Sequence, residues 1–100
     1  MIVSKFKPQY SNQFKKDYKL MQKRGYDLTK LDTLLNLILE GDKLPPVYRD
    51  HSLEGQWKGC RDAHVAFDWI LIYEYVDAEE SVEKKIVKLW RTGTHSDLSL

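Results

Sequence analysis

The stretch Trp69-Ile-Leu-Ile-Tyr-Glu-Tyr-Val76 constrains the chain more than any other. It is apolar on both faces of an extended backbone and rich in β-branched and aromatic residues. Such a run predicts a central strand covered on both sides. The segment before it, from Trp57 to Val65, alternates instead. Trp57, Gly59, Arg61, Ala63 and Val65 fall on one face, and Lys58, Cys60, Asp62 and His64 on the other. Ala66-Phe-Asp68 supplies the turn between the two, so residues 55–73 predict a hairpin. Lys85-Ile-Val-Lys-Leu-Trp-Arg91 reads as a further strand.

The first half of the chain has a helical pattern. Residues 1–7 alternate and suit a short strand, after which Pro8 sits where a first helical turn tolerates it. Tyr10, Phe14, Tyr18 and Met21 recur at helical spacing and predict an amphipathic helix over residues 9–24, stopped by Gly25. Asp27 or Thr29 can cap a second helix whose apolar face is Leu28, Leu31, Leu35, Ile38 and Leu39, and Gly41 ends it. Residues 41–55 contain Pro45-Pro46, which breaks both kinds of backbone ladder, and predict an ordered loop carrying His51 toward the hairpin. The residues 77–81 form a polar connection. The tail after Arg91 turns away and ends in a helical turn. The order βααβββ predicts an α+β fold, with a two-helix hairpin packed on one face of a mostly antiparallel four-stranded sheet.

One hundred residues suit a single domain spanning 1–100. No apolar run approaches the roughly 20 residues of a membrane-spanning helix. The first residues lack the apolar core of a signal peptide, and Cys60 is the sole cysteine, so a cytoplasmic, reducing environment is expected. The net charge of +1 hides an asymmetry. Residues 1–25 hold seven cations against Asp17, a balance of +6, and the rest sums to −5. Lys15, Lys16, Lys19 and Lys23 thus form either a phosphate-binding face or a merely solvated one.

The polar residues narrow the chemistry. His51, His64 and His95 all lie in the second half. Histidine titrates near neutrality and serves as general acid or base. Asp62 and His64, two apart on one strand, share a face at about 7 Å. Cys60 and His64 are about 13 Å apart by the same rise, too far for a nucleophile–base pair. There is no cysteine pair and no His-Glu-x-x-His helix, so no metal or other cofactor is expected. Imidazoles, carboxylates and cations without a metal suit RNA cleavage. A base takes the 2′-hydroxyl proton, an acid protonates the leaving 5′-oxygen, and cations steady the transition state.

Asp50-His-Ser-Leu-Glu-Gly-Gln-Trp-Lys-Gly-Cys-Arg-Asp-Ala-His64, Asp68-Trp-Ile-Leu-Ile-Tyr73 and Arg91-Thr-Gly-Thr-His-Ser-Asp-Leu98 resemble the YafQ toxins of the RelE/ParE superfamily. The resemblance spans essentially the whole chain and implies a RelE-like fold. It also implies the toxin half of a bacterial type II toxin–antitoxin system, which enters the ribosomal A site and cuts mRNA without a metal. By family analogy His51, Asp62, His64, Asp68 and His95 handle acid–base transfer and substrate positioning, with base and acid unassigned. Lys58, Arg61 and Arg91 fall within the matched motifs as candidate phosphate ligands, although alternation puts Arg61 opposite Asp62, where it can equally be structural. The implied partners are a cognate antitoxin, the ribosome with its mRNA, and operator DNA only through the antitoxin complex. The family often closes with an aromatic after the last histidine, whereas here Leu98 is followed by Ser99 and Leu100. Two alternatives stand beside this reading: a non-catalytic gyrase inhibitor of the ParE branch, and an inactive relative kept for antitoxin binding.

Overall fold

The computed structural model describes residues 5–41, 43–77 and 85–100. A first strand β1 (Lys7–Tyr10) leads into helices α1 (Asn12–Lys23) and α2 (Leu28–Glu40). Strands β2 (His51–Ser52), β3 (Arg61–Ala66), β4 (Trp69–Asp77) and β5 (Lys85–Gly93) follow, and a one-turn helix α3 (His95–Leu98) closes the chain. The sheet has five strands in the order β1-β5-β4-β3-β2. Only β1 runs parallel to its neighbour, β5; the other pairs are antiparallel. The α+β class and helical hairpin are as expected. The strand count is not.

The additional strand is β2, inside the segment expected to be an irregular loop. Two residues carry no readable periodicity, yet His51 pairs with Asp62 and Ser52 with Arg61. The start of the chain also differs. Residues 1–4 of the expected strand lie outside the described residues, as do 78–84, which include most of the expected polar connection. The described strand starts at Lys7 and contains Pro8. An edge strand tolerates proline because one side of its ladder is unpaired. The helix begins later than expected because Ser11 caps it. Its hydroxyl accepts the Phe14 N–H at 2.9 Å and donates to the Trp90 carbonyl at 2.8 Å. Tyr10 therefore belongs to β1, where it stacks on Phe14.

The second helix matches its sequence signals at both ends. The Asp27 carboxylate accepts the Thr29 N–H at 3.1 Å, and Gly41 ends the helix at φ 76°. A Cβ at Gly41 would stand 2.6 Å from the Phe6 ring, so glycine is required twice over there.

The helices cover one face of the sheet. Phe14, Met21, Leu31, Leu34 and Ile38 pack against Ala63, Val65, Leu71, Tyr73, Val87 and Leu89. On the opposite face Ile70 and Ile72 are buried beneath Cys60, Leu98, Leu53, Trp57 and Trp90. The central strand is therefore covered on both sides, as its composition demands. The expected strand from Trp57 is shorter in fact. Gly55–Trp57 form a 3-10 turn, so Lys58 sits in a loop and Trp57 packs on the face away from the helices.

A bulge ties the sheet to α1. Tyr73 pairs with Leu89 but Ile72 pairs with Arg91, so Trp90 is an extra residue in β5. Beyond it, Asp17 of α1 accepts Arg91 Nε at 2.9 Å, Arg91 Nη2 at 3.2 Å and the Thr92 N–H at 3.2 Å. Gln13 adds a fourth donor at 3.0 Å. A buried carboxylate with four donors resists removal, because each donor then loses its acceptor. Asp17→Ala should lower unfolding stability by about 3 kcal/mol in urea titrations. Arg24→Ala, at an ion pair with Asp97 that is open to solvent, should leave the urea midpoint nearly unchanged. Equal effects of the two changes would refute the assignment of Asp17 as the principal tie.

Candidate active site

The site lies on the sheet face away from the helices and is built by three local devices. The first is the β2–β3 pairing, which sets His51 directly across from Asp62. Asp50 anchors that pairing. Its carboxylate accepts Arg61 Nε at 3.1 Å and Nη2 at 2.9 Å, and it also accepts the Tyr73 hydroxyl. Burial and this carboxylate push the Tyr73 phenol far above its ordinary range, so it stays a donor. Arg61 Nη1 reaches Ser52 Oγ at 3.0 Å, completing a polar clamp around β2.

The second device is a register shift between His64 and Ala66, which bends β3 into the turn at Phe67 and Asp68. The third is the start of α3. Thr94 and Asp97 form a reciprocal capping box: the Asp97 N–H donates to Thr94 Oγ1 at 3.1 Å, and the Thr94 N–H to Asp97 Oδ2 at 3.0 Å. Arg24 and Thr94 together hold the Asp97 carboxyl well below its ordinary range. Gly93 admits this turn, since a Cβ there would stand 3.0 Å from Asp97.

These devices bring His64, Asp68 and His95 together. The His64 and His95 rings meet edge to face, 5.4 Å between centroids. Asp68 Oδ1 accepts the His95 backbone N–H at 3.0 Å and faces His95 Nδ1 at 2.5 Å. A carboxylate only accepts here, so Nδ1 carries a proton and Nε2 is the working nitrogen. The same two contacts lower the Asp68 pKa and keep it ionised. Burial lowers the His64 pKa, opposed by Asp62, which favours the neutral imidazole.

Asp62 is buried beneath this group and is the odd member. His51 Nδ1 lies 3.1 Å from Asp62 Oδ1 but 2.9 Å from the Arg49 carbonyl. A proton on Nδ1 has the carbonyl at the shorter distance, and Asp62 Oδ1 keeps an ion-pair contact with the ring but no hydrogen bond among the described residues. Desolvation raises the Asp62 pKa, and the three histidines only partly offset it. A buried acceptor without a donor is costly.

A cleft of about 560 Å³ runs past His64, Asp68 and His95, between the 3-10 turn at Val47 and Tyr48 and the β3–β4 turn. His51 and Asp62 do not line it. Two lining residues carried no sequence signal strong enough to single them out. Arg49 follows the 3-10 turn Pro46–Tyr48 in a left-handed conformation, φ 49°, and is the cation of the cleft. Phe67 at the turn tip is 97% exposed. Their clues were local: Arg49 stands next to Asp50-His51, and Phe67 is a large ring in a turn.

The expected phosphate ligands lie elsewhere. Arg61 is held by Asp50 and Arg91 by Asp17, each as part of the fold. Lys58 borders a separate hollow with Cys60 and Tyr75. Lys15 and Lys19 line a groove of the helical layer with Tyr18 and Asp32, and Lys16 and Lys23 are exposed on the same helix. Leu98, next to the position of the absent terminal aromatic, is buried core. Among the described residues no group of three or more His, Cys, Asp or Glu is arranged to hold a metal ion, and no helix is long and apolar enough to cross a membrane.

Residues 6–100 match the family described as "Bacterial toxin of type II toxin-antitoxin system, YafQ". The chain is 50% identical over 91 residues to the mRNA interferase toxin YafQ of Escherichia coli strain K12, covering 90% of this chain and 91% of that one. The crystal structure of YafQ from E. coli strain BL21(DE3) superposes with a TM-score of 0.82 at 47% identity, over 93% of this chain and 97% of that one. The YafQ chain of the E. coli DinJ–YafQ toxin–antitoxin complex superposes with a TM-score of 0.81 at 47% identity, over 94% and 97% of the two chains.

The isolation of Asp62 has a measurable consequence. Its folded pKa is raised, so the penalty for its charge is full above that value and absent below the unfolded value of about 3.9. Asp62→Asn should therefore raise the unfolding midpoint at pH 7, and the gain should vanish as the pH falls through the raised value toward 3.9. Denaturant titrations at several pH values measure this. A loss of stability at pH 7 would mean that the carboxylate is satisfied after all.

Proposed function

Because this chain belongs to the YafQ family of toxins from bacterial type II toxin–antitoxin systems, we propose that it is an mRNA interferase that cuts mRNA on the ribosome by acid–base chemistry. The carrying observation is the pair of imidazoles 5.4 Å apart, one desolvated and one held by a carboxylate, on an open cleft bordered by an arginine. In this reading neutral His64 takes the proton from the ribose 2′-hydroxyl. The 2′-oxygen attacks the adjacent phosphorus and the bond to the 5′-oxygen breaks. His95, protonated at Nε2 and oriented by Asp68, donates its proton to the leaving oxygen. The products are a 2′,3′-cyclic phosphate and a 5′-hydroxyl end, and His95 leaves the reaction neutral while His64 leaves it charged. Arg49 faces the phosphate charge, Asp62 steadies the imidazolium formed at His64, and His51 positions substrate at the back of the cleft.

The whole chain acts as one toxin domain, in the bacterial cytoplasm. The lysines of α1, together with Lys58, supply long-range attraction to ribosomal RNA rather than contacts at the scissile phosphate. Their contribution falls as salt rises. Arg61 and Arg91 serve the reaction by holding β2 and β5 in place. Its partner is a cognate antitoxin, as DinJ is for YafQ in the E. coli toxin–antitoxin complex, and operator DNA is reached only through it.

The test is single-turnover cleavage of mRNA on translating ribosomes. His64→Ala and His95→Ala should each slow cleavage by about 10²–10⁴-fold. Undiminished cleavage in both variants rejects the site. The lowered His64 pKa fixes the sign of the pH dependence: protonation removes the base only as the pH drops below the ordinary histidine value of about 6.5. The acid limb of the rate profile should therefore lie below that value. A limb above it would argue against His64 as the base.

A further inference from the structure

Phe67 and Val47 are anomalous as parts of a fold. Phe67 is 97% exposed and Val47 76%, so neither ring nor isopropyl group contributes much to the core. Both border the same cleft as His64 and His95 although they come from separate segments, the β3–β4 turn and the 3-10 turn Pro46–Tyr48. Phe67 directly precedes Asp68, the residue that holds His95. The other aromatic lining the cleft, Tyr48, is half-buried against the helical core. Residues 96–100 contain no aromatic, and Leu98 faces inward.

We infer that Phe67, with Val47 as a second apolar contact, is the stacking platform for a nucleobase of the mRNA, next to the phosphodiester held between His64 and His95. A nucleotide offers an anionic phosphate and, one sugar away, a flat apolar face. The cleft offers the complement, with Arg49 and two imidazoles in its lining and an unshielded ring beside them. Stacking of this kind tolerates any base, because every base has a π-face, and its strength differs among bases. The role is one of positioning: a base fixed on the ring holds the neighbouring 2′-hydroxyl in line for attack. The inference rests on the proposed mRNA cleavage.

The experiment uses ribosomes programmed with one mRNA and measures cleavage rate against ribosome concentration. Phe67→Ala should reduce the rate at limiting ribosome about 5- to 100-fold, the range expected for one lost base–aromatic contact. Phe67→Trp should restore most of it, and the urea midpoint should not move because the ring packs on nothing. Abasic nucleotides placed one at a time through the A-site codon supply the second arm. At one position the wild type should fall by the same factor, while Phe67→Ala falls no further. Wild-type-like cleavage by Phe67→Ala overturns the inference. So does a Phe67→Ala loss that multiplies with the abasic loss at every position, which would place the ring against ribosomal or other protein surface. His64→Ala, run in parallel, keeps the two levels apart. If the wild type itself cleaves no better than His64→Ala, the enzymatic reading fails and the inference with it.

Discussion

The buried second face of β4 is the constraint on which the site depends. Ile70 and Ile72 point away from the helical layer, and a strand apolar on that side is stable only if something covers it. The cover is assembled from short pieces: Leu53, Trp57, Cys60, Trp90 and, from α3, Leu98. Leu98 is the last residue of a single helical turn, which could not persist alone in water. Its burial therefore holds α3 in place, and His95 opens that same turn. The hydrophobic requirement of the central strand thereby places an imidazole beside His64. The pairing of the two imidazoles is a by-product of covering a sheet face.

Electrostatics sorts the carboxylates into two kinds. Asp17, Asp50, Asp97 and Asp68 are each met by several donors and act as fasteners. They connect α1 to β5, β2 to β3, the α3 cap to itself and to α1, and the β3–β4 turn to His95. Asp62 is surrounded by three imidazoles and receives no hydrogen bond at Oδ1. Fasteners lower the free energy of the folded state, whereas a desolvated carboxylate short of hydrogen-bond donors raises it. In the proposed mechanism that cost is offset when the charge finds its counterpart, as an imidazole gains a proton. The same division separates the arginines. Arg24, Arg61 and Arg91 are held by Asp97, Asp50 and Asp17, and Arg49 borders the cleft.

Much of this was legible in the sequence where one residue type has one physical consequence. The two-sided apolar run of β4 required a central strand, Asp27 and Gly41 bounded α2, and the spacing of Asp62 and His64 put them on one face. Legibility failed where tertiary contacts override local pattern. Pro8 suggested a helix start, but the Ser11 hydroxyl, bonded to Trp90 from the far end of the chain, moves that start to Asn12. Asp17 stood as the one acid among the cations of residues 1–25, because Arg91 and Thr92, which tie it to the sheet, are more than 70 residues away. Arg91 reads as a candidate phosphate ligand and Arg61 as either that or structural, because sequence shows a charge and not the carboxylate that neutralises it. β2 was invisible, since two residues have no period.

The segment from Pro45 to Ser52 shows how these effects combine at the site. Consecutive prolines stiffen the chain into a 3-10 turn, and the turn ends with Arg49 in the left-handed region. That conformation turns the Arg49 carbonyl toward His51 Nδ1, fixing the imidazole tautomer, and sets the side chain beside the cleft. Asp50, next in sequence, points the other way and clamps Arg61 and Tyr73. Three consecutive residues thus face a cleft, a structural network and a buried acid. Strain at one non-glycine residue with positive φ costs of order 1–3 kcal/mol, and the Asp50 clamp is what offsets it. Loss of that clamp would release the whole segment, so the loop carrying His51 is the support on which Arg49, His51 and Val47 are jointly set.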